Sequence, residues 1–411
     1  MPHPVLVVGA GPAGATAARR LAASGVPVRM LDRSAVPRNK PCGGGISVRV
    51  LKRFPYLDAA MQRIVTHRLS RLYLEGPAGA GTVIQSDVPA ALMIRRLEFD
   101  ALLVSLAVEA GAELVSSVDV VNVSRAGGSV RLIARDGRRF ESDTVIAADG
   151  VHSVVARRLA LNRGWPAASI ALDMMEETPR SELRDVDPST LWVAYGYRGP
   201  GYAYIFPKRD HVNIGIGYVL SHYRAAVDAS PYELQRGFID SLRARGIVVG
   251  ESVRRNFTPF LIPVGGPLRR PGGGRVLLAG DAGGFVNAFT AEGIYYAMVS
   301  GDLAARTIIE CDERHGPGDL AAAYRRACDR EIGAELRDSV VIQRYLFSNP
   351  RRISRMLRAA PRHQAITNLI LDYAIGRRTY RAVRRGVLAR APHLALSLIA
   401  AKAFALRATS H

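Results

Sequence analysis

Three stretches of this 411-residue sequence combine residue types and spacings that could do chemistry. The first is Gly9-Ala10-Gly11-Pro12-Ala13-Gly14, answered by Asp32 eighteen residues past Gly14. Gly9 permits a tight turn, Gly11 lets backbone approach a pyrophosphate, and Gly14 lets a helix lie close to a strand. A helix starting here aims free N–H groups and its positive dipole end at phosphate oxygens. An acid at position 32 can accept both hydroxyls of an adenosine ribose and disfavours a 2′-phosphate. The site therefore suits FAD or NAD rather than NADP. The bare glycine pattern is common by chance, so its weight comes from the flanking elements.

The second stretch is Arg38-Asn39-Lys40-Pro41-Cys42-Gly43-Gly44-Gly45. Three glycines after a proline predict a loop whose backbone can come very near something planar or anionic. Arg38 and Lys40 favour negative charge there, and Ser47 could cap a following helix. Cys42 is either a small space-filler or a thiol beside a redox centre. The third stretch is GYAYIFP at 201–207, whose alternation sends Tyr202, Tyr204 and Phe206 to one face. Some of that stripe is core. Gly215 and Gly217 on the expected partner strand leave room above it, and small residues facing aromatic ones make a groove wall.

Elements around these stretches place them. Val5–Val8 reads as a buried parallel strand, followed by an Ala-rich helix ending near Ser24 with Gly25 as its cap, then a strand from Val26 to Leu31. Short alternating runs between 68 and 94 read as strands of a second sheet, with GPAGAGT as a hairpin turn rather than another phosphate loop. Arg96 opens a helix to about Ala110. A hairpin through residues 135–138 leads to the strand Thr144–Ala148 and then Asp149-Gly150, where backbone would again meet a cofactor. Residues 166–262 are strand-rich, with a hairpin about residues 208–211. Arg275–Ala279 returns as a buried strand, and a helix starts near Gly293 with its N-terminus free to face a flavin carbonyl; Asp281 could accept from a ribityl hydroxyl.

The fold class is α/β (α+β): a Rossmann-type FAD-binding domain, a second antiparallel-sheet substrate domain and a helical C-terminal region. The cofactor domain is discontinuous, comprising residues 1–66, 95–165 and 263–340. The substrate sheet takes 67–94 and 166–262, and the basic helical region 341–411.

With 48% apolar and 22% charged residues the chain is globular. Its three cysteines form no near pair, which argues against a disulfide framework and fits a reducing cytosol. The histidines show no ligand pattern, and there is no nucleophile elbow, so neither a metal site nor acyl transfer is supported. No signal peptide or transmembrane run is expected. The net charge of +20 is concentrated at one end: from Arg344 to His411 there are fourteen Lys or Arg against one acid, Asp372. Apolar runs at Ile366–Ile375 and Leu394–Leu406 interleave with Arg377-Arg378 and Arg384-Arg385. That pattern fits helices at an anionic membrane surface, or over a greasy tunnel, better than a nucleic-acid arm.

Taken in order, GAGPAG with Asp32, RNKPCGGGIS, Arg96 with Phe99-Asp100, Asp149-Gly150, GYAYIFP and GDAGGFVNAFTAEGIYYAMVSG resemble the geranylgeranyl reductase family from about residue 4 to 310. These are FAD enzymes of the p-hydroxybenzoate-hydroxylase-like fold. By the resemblance, Ala13, Asp32, Cys42, Gly43, Gly45, Arg96, Asp281, Gly293 and Ile294 contact FAD. Gly9, Gly11, Pro12, Gly14, Arg33, Asp149 and Gly150 are counted with them. Tyr202, Tyr204 and Phe206 line a prenyl pocket, with Gly215 and Gly217 beside them. The family usually has Trp where Tyr204 stands and Pro where Thr290-Ala291 stand. The implied reaction is hydrogenation of an isolated prenyl double bond in a dry tunnel, with Cys42 and Tyr204 as candidate proton sources. NAD(P)H, or a ferredoxin-like donor protein, would reduce the flavin. The expected location is cytoplasmic with peripheral membrane association. The competing readings are a monooxygenase or halogenase on the same fold, which PCGGGIS does not fit, and a flavoprotein that binds prenyl groups or carries electrons without turnover.

Overall fold

A computed structural model describes residues 3–77, 79, 81–197, 199–313, 319–359 and 363–390. The expected apolar run Leu394–Leu406 lies outside the described residues. The chain divides into two compact units. The first comprises Met1–Lys40, Arg96–Ile170 and Ile262–Ser339; the second Pro41–Arg95, Ala171–Leu261 and Val340–His411.

The first unit is built on a six-stranded sheet. From one edge its strands are Gly272–Gly273, Val276–Leu278, Val145–Ala147, Val5–Val8, Val28–Leu31 and Glu113–Val115. All neighbours are parallel except the Gly272–Gly273 edge. The central strands are continuous runs of Val, Leu, Ile and Ala, as burial on both faces requires. The helix Pro12–Ala23 follows the first strand, with Pro12 in its first turn and Ser24 as C-cap. An antiparallel set of Val120–Ala126, Ser129–Ala134 and Arg139–Ser142 completes one core with Leu6, Leu31, Val145 and Leu278. The helix Ile294–Glu313 crosses the Pro12–Ala23 helix so closely that a Cβ at Gly301 would overlap the Ala13 carbonyl.

The second unit is built on a seven-stranded sheet. Its order is Phe257–Pro263, Ile170–Pro179, His211–Val219, Gly201–Pro207, Thr190–Tyr195, Arg71–Glu75 and Gly81–Gln85. We call Ile170–Pro179 the acid strand, His211–Val219 the glycine strand and Gly201–Pro207 the aromatic strand. One face of this sheet is core. Met174, Ile214, Ile216, Ala203, Ile205 and Trp192 cluster with Leu234, Phe238, Ile239 and Leu242 of the helix Pro231–Ala244. That helix starts where its sequence says it should, on a Ser230–Glu233 capping box with Pro231 in the first turn. Each large apolar side chain buried here contributes about 1.5–3 kcal/mol. The opposite face carries the residues of interest.

Two boundaries differ from the sequence reading. The cofactor unit breaks at Lys40, not at 66, because Gly45–Ser47 pairs with Ala91–Met93, which also pairs with His67–Leu69. Residues 41–66 are thereby tied to the second unit. The C-terminal helices Pro350–Ala359, Gln364–Ala374 and Tyr380–Arg390 belong to that unit as well. They are held there by Ser47 Oγ donating to the Ala374 carbonyl, Lys52 Nζ to the Gly376 carbonyl (2.8 Å) and Arg377 to Asp87 (3.0 Å), with Arg49 stacked over Tyr373. Among the described residues no helix is long and apolar enough to cross a membrane.

Candidate active site

In the first unit, loops leave the carboxyl ends of adjacent parallel strands and meet at Gly9, where open α/β sheets bind ligands. Gly9 has φ +97°, and a Cβ there would overlap the Ala148 carbonyl oxygen; at Gly14 it would overlap the carbonyl oxygen of Gly9. Gly11 is different. The nearest atom to a Cβ there is Arg38 Nη2 at 3.6 Å, so two glycines serve packing and the middle one faces open space. The helix behind them has no side-chain cap on its N-terminus, leaving its first N–H groups for an anion.

Asp32 is buried and held in place. Its Oδ2 accepts from Ala10 N (2.8 Å) and its Oδ1 from Ser34 N (2.9 Å), with Arg38 Nε at 3.5 Å. Arg38 also pairs with Asp100 at 3.3 Å, and Asp100 in turn takes a two-point contact from buried Arg96 (2.6 and 2.7 Å). Arg38 and Asp100 thus link the two predicted cofactor residues Asp32 and Arg96. The sequence reading singled out Arg38 only as a positive charge. Arg33 is exposed at the strand end.

Asp149, expected at a cofactor, spends Oδ2 on Val154 N and Val155 N (2.7 and 3.2 Å), capping the short helix Val154–Arg158 together with Ser153. Its Oδ1 is buried without a hydrogen-bond partner, and burial pushes the carboxyl pKa up against those bonds. Asp281 and Gly293 are neighbours: a Cβ on Gly293 would lie 3.7 Å from Asp281 Oδ1. Lys40 Nζ is 3.8 Å from Asp281, Gly280 packs on Ala13, and Ile294 is the first residue of its helix. The uncapped helix end, the open approach at Gly11, the anchored Asp32 and the unsatisfied Asp149 oxygen all fit FAD. Gly11→Ala tests this: the fold has room for the methyl, so the melting temperature of the apoprotein should hold while FAD binds at least tenfold more weakly, about 1.4 kcal/mol. Unchanged FAD affinity by fluorescence titration would remove Gly11 from the site.

In the second unit, strand register lays out rows on the sheet face away from the core. Asp173 pairs with Gly217 and Gly217 with Tyr202; Met175 pairs with Gly215 and Gly215 with Tyr204; Glu177 pairs with Asn213 and Asn213 with Phe206. Side chains two apart on a strand share a face, so all of these point the same way. The room expected above Gly215 and Gly217 is filled. A Cβ on Gly215 would overlap the Tyr204 ring, and one on Gly217 would come within 3.0 Å of Tyr202. Glycine is needed here so that the protein's own rings can lie across the strand, which corrects the reading of these positions as open groove. The rings form a continuous row, Tyr202 to Tyr204 at 5.6 Å and Tyr204 to Phe206 at 4.4 Å between centroids.

The glycine loop lies against that row. Cβ atoms on Gly43 and Gly45 would come within 2.8 and 3.1 Å of Phe206 carbons. Cys42 Sγ accepts from Gly44 N (3.4 Å), and its carbonyl accepts from Asn213 Nδ2 (3.0 Å). Beneath the loop, Lys208 is 3% exposed and bonded to Glu177, which also takes Arg95 at 2.8 Å. Burial lowers the Lys208 pKa; burial alone would raise Glu177, but Lys208 and Arg95 outweigh it and hold the carboxyl low.

The residue that sequence reasoning missed is Asp173. Its Oδ2 accepts from Tyr202 Oη at 2.9 Å and its Oδ1 from Tyr204 Oη at 3.4 Å. It is 1% exposed, and burial, only partly opposed by the two hydroxyls, raises its pKa to about 7. The alternation of Asp173, Met175 and Glu177 was visible, but its partners lie two strands away.

Comparison with known proteins places this arrangement. Residues 3–337 match the family described as FAD binding domain. Digeranylgeranylglycerophospholipid reductase 1 of Methanothermobacter thermautotrophicus is 31% identical over 366 residues, covering 84% of this chain and 86% of that protein. The chain is a member of the geranylgeranyl reductase family. It is an FAD-dependent oxidoreductase. Menaquinone reductase of Mycobacterium tuberculosis is also 31% identical, over 345 residues, covering 78% and 80%. The crystal structure of a geranylgeranyl bacteriochlorophyll reductase-like protein from Thermoplasma acidophilum shares the fold, with a TM-score of 0.78 at 20% identity over 97% of this chain and 99% of that one. The reductase family and its FAD fold stand as the motifs implied.

Proposed function

We propose that this family member hydrogenates isolated C=C bonds of a prenyl chain carried by a lipid, a quinone or a diphosphate. The observation that carries this reading is the ring row Tyr202–Tyr204–Phe206 under the Gly43 and Gly45 backbone. Ring faces and bare backbone make an apolar wall suited to a branched hydrocarbon. The names of the relatives support the same class, two of them at 31% identity.

Reduced FAD supplies a hydride when bound. The chain's own residues must then deliver a proton to the other carbon and keep water from capturing a developing tertiary cation. Tyr204, 1% exposed within the ring row, and Cys42 on the glycine loop are two groups at this face able to carry that proton. The substrate would be drawn from a bilayer. The arginines of the C-terminal helices, worth about 1 kcal/mol each near an anionic lipid surface, would dock the protein there as a peripheral one. NAD(P)H or a ferredoxin-like protein would return electrons to the flavin.

The test is anaerobic. Protein reduced with dithionite should bleach, regain its flavin colour on addition of a geranylgeranyl lipid, and yield product heavier by one H₂ per bond. A product that forms only with oxygen and gains an oxygen or halogen atom would mean a monooxygenase or halogenase instead. No reoxidation by any prenyl compound would sink the reading.

A further inference from the structure

We propose that Asp173 is the source of the proton in this hydrogenation, a positioning residue that acts through the hydroxyl of Tyr204. The inference rests on the prenyl-reductase reading and adds to it the identity of the acid. Tyr204 alone would be a poor donor. Its hydroxyl is fully buried, burial and the neighbouring Asp173 push its pKa well above the ordinary phenol value, and giving up its proton would strand a phenolate among rings. Tyr202 suffers the same shift for the same reasons. The carboxyl between them is the stronger acid by a wide margin.

The geometry makes the transfer direct. Tyr202 donates to Oδ2 at 2.9 Å, which fixes the carboxyl and leaves Oδ1 to carry its proton towards Tyr204 Oη, 3.4 Å away. In the reaction the Tyr204 O–H breaks and a C–H bond forms on one alkene carbon, while the Oδ1–H proton moves to Tyr204 Oη. FAD, when bound and reduced, would supply the hydride that the other carbon needs. The alkene gains one H⁺ and one H⁻ and becomes an alkane, Tyr204 ends neutral, and Asp173 ends as a carboxylate that regains its proton from solvent before the next turnover. Electrons come only from the flavin.

Other charges do not take the role. Glu177, two rungs along the same strand face, is committed to Lys208 and Arg95. Tyr195, which pairs with Tyr202, is pushed up by burial. The adjacent strand Phe257–Pro263 has no titratable side chain. Cys42, on the glycine loop, is also near enough to both tyrosines to raise their pKa values.

The experiment follows flavin reoxidation by a geranylgeranyl lipid, anaerobically, from pH 5 to 9, in wild type, Asp173→Asn, Asp173→Glu and Tyr204→Phe holoenzymes. A neutral carboxyl is required, so the wild-type rate should fall about tenfold per unit above pH 7. Asp173→Asn keeps the acceptor for Tyr202 and removes a buried ionisable group, so the fold and FAD content should hold. Its rate should drop about 10²–10⁴-fold, the ordinary worth of a positioned acid, and lose that pH dependence. Asp173→Glu should restore a pH-dependent rate with a moved midpoint, which a merely structural role would not produce. A second readout needs no turnover: an infrared band of a protonated carboxyl, titrating near pH 7 and missing from Asp173→Asn. Wild-type turnover with an unchanged rate and pH profile in Asp173→Asn, or no such band, overturns the inference and leaves the prenyl-reductase reading intact. No turnover in wild type sinks both.

Discussion

Gly14→Ala is expected to yield no stable flavoprotein. The added methyl would occupy the position of the Gly9 carbonyl oxygen, with the Gly9 carbonyl carbon at 3.0 Å and Val7 Cγ1 at 3.1 Å. Two of these three are side-chain-independent or rigid neighbours, so no rotamer change can yield space. The same helix is also packed tightly at Ala13, whose carbonyl oxygen a Cβ on Gly301 would overlap. Overpacking in a core typically costs about 1–3 kcal/mol. Here, with a backbone carbonyl where the methyl must go, the cost belongs to the exceptional class above about 4 kcal/mol. Thermal unfolding and flavin absorbance of the purified variant measure it. Gly25→Ala is the control. It places a side chain at φ +75° with nothing within 4 Å, so it should lose only about 1 kcal/mol and stay yellow. Equal behaviour of the two variants would refute the argument.

The second large effect is at Lys208. Lys208→Met leaves the Glu177 carboxylate, 11% exposed, with Arg95 as its remaining cation. Removing one partner of a buried ion pair costs about 3–5 kcal/mol, and retained Arg95 puts this case at the lower end. Denaturant unfolding should show that loss, and Lys208→Met with Glu177→Gln should recover part of it, because the stranded charge is then gone. The sign with pH follows from Glu177: its folded pKa lies below the unfolded value, so its contribution is present above about pH 4.3 and is lost as pH falls through the lower folded value. The wild type should therefore lose more stability than Lys208→Met on acidification below pH 4. A double variant no more stable than the single one would show that the loss comes from packing beside Gly44 instead.

Much of the first unit was legible in the sequence because its logic is local. Gly9, Gly11, Gly14 and Asp32 fall within one strand–helix–strand passage, and the close packing at Gly9 and Gly14 follows from their spacing. The second unit was legible only in part. Alternation put Tyr202, Tyr204 and Phe206 on one face, but a glycine on the next strand signals a gap without saying what fills it. Here the rings themselves fill it. Asp173 was hidden for a related reason: within IALDMMEETP it reads as one more strand acid, and its meaning depends on registers across three strands. The break at Lys40 was missed because three-residue strands such as Gly45–Ser47 and His67–Leu69 carry too little pattern to announce their pairing.

The interleaving of the two units has a consequence for biosynthesis. The strand Val5–Val8 emerges from the ribosome early, but the sheet that holds it gains Val276–Leu278 only about 270 residues later. At about 5–20 residues per second, the opening mononucleotide fold waits on the order of ten to fifty seconds for its last parallel neighbour. During that interval its apolar strand edge is open to wrong partners, so newly made chains should depend on chaperones far more than their final stability would suggest.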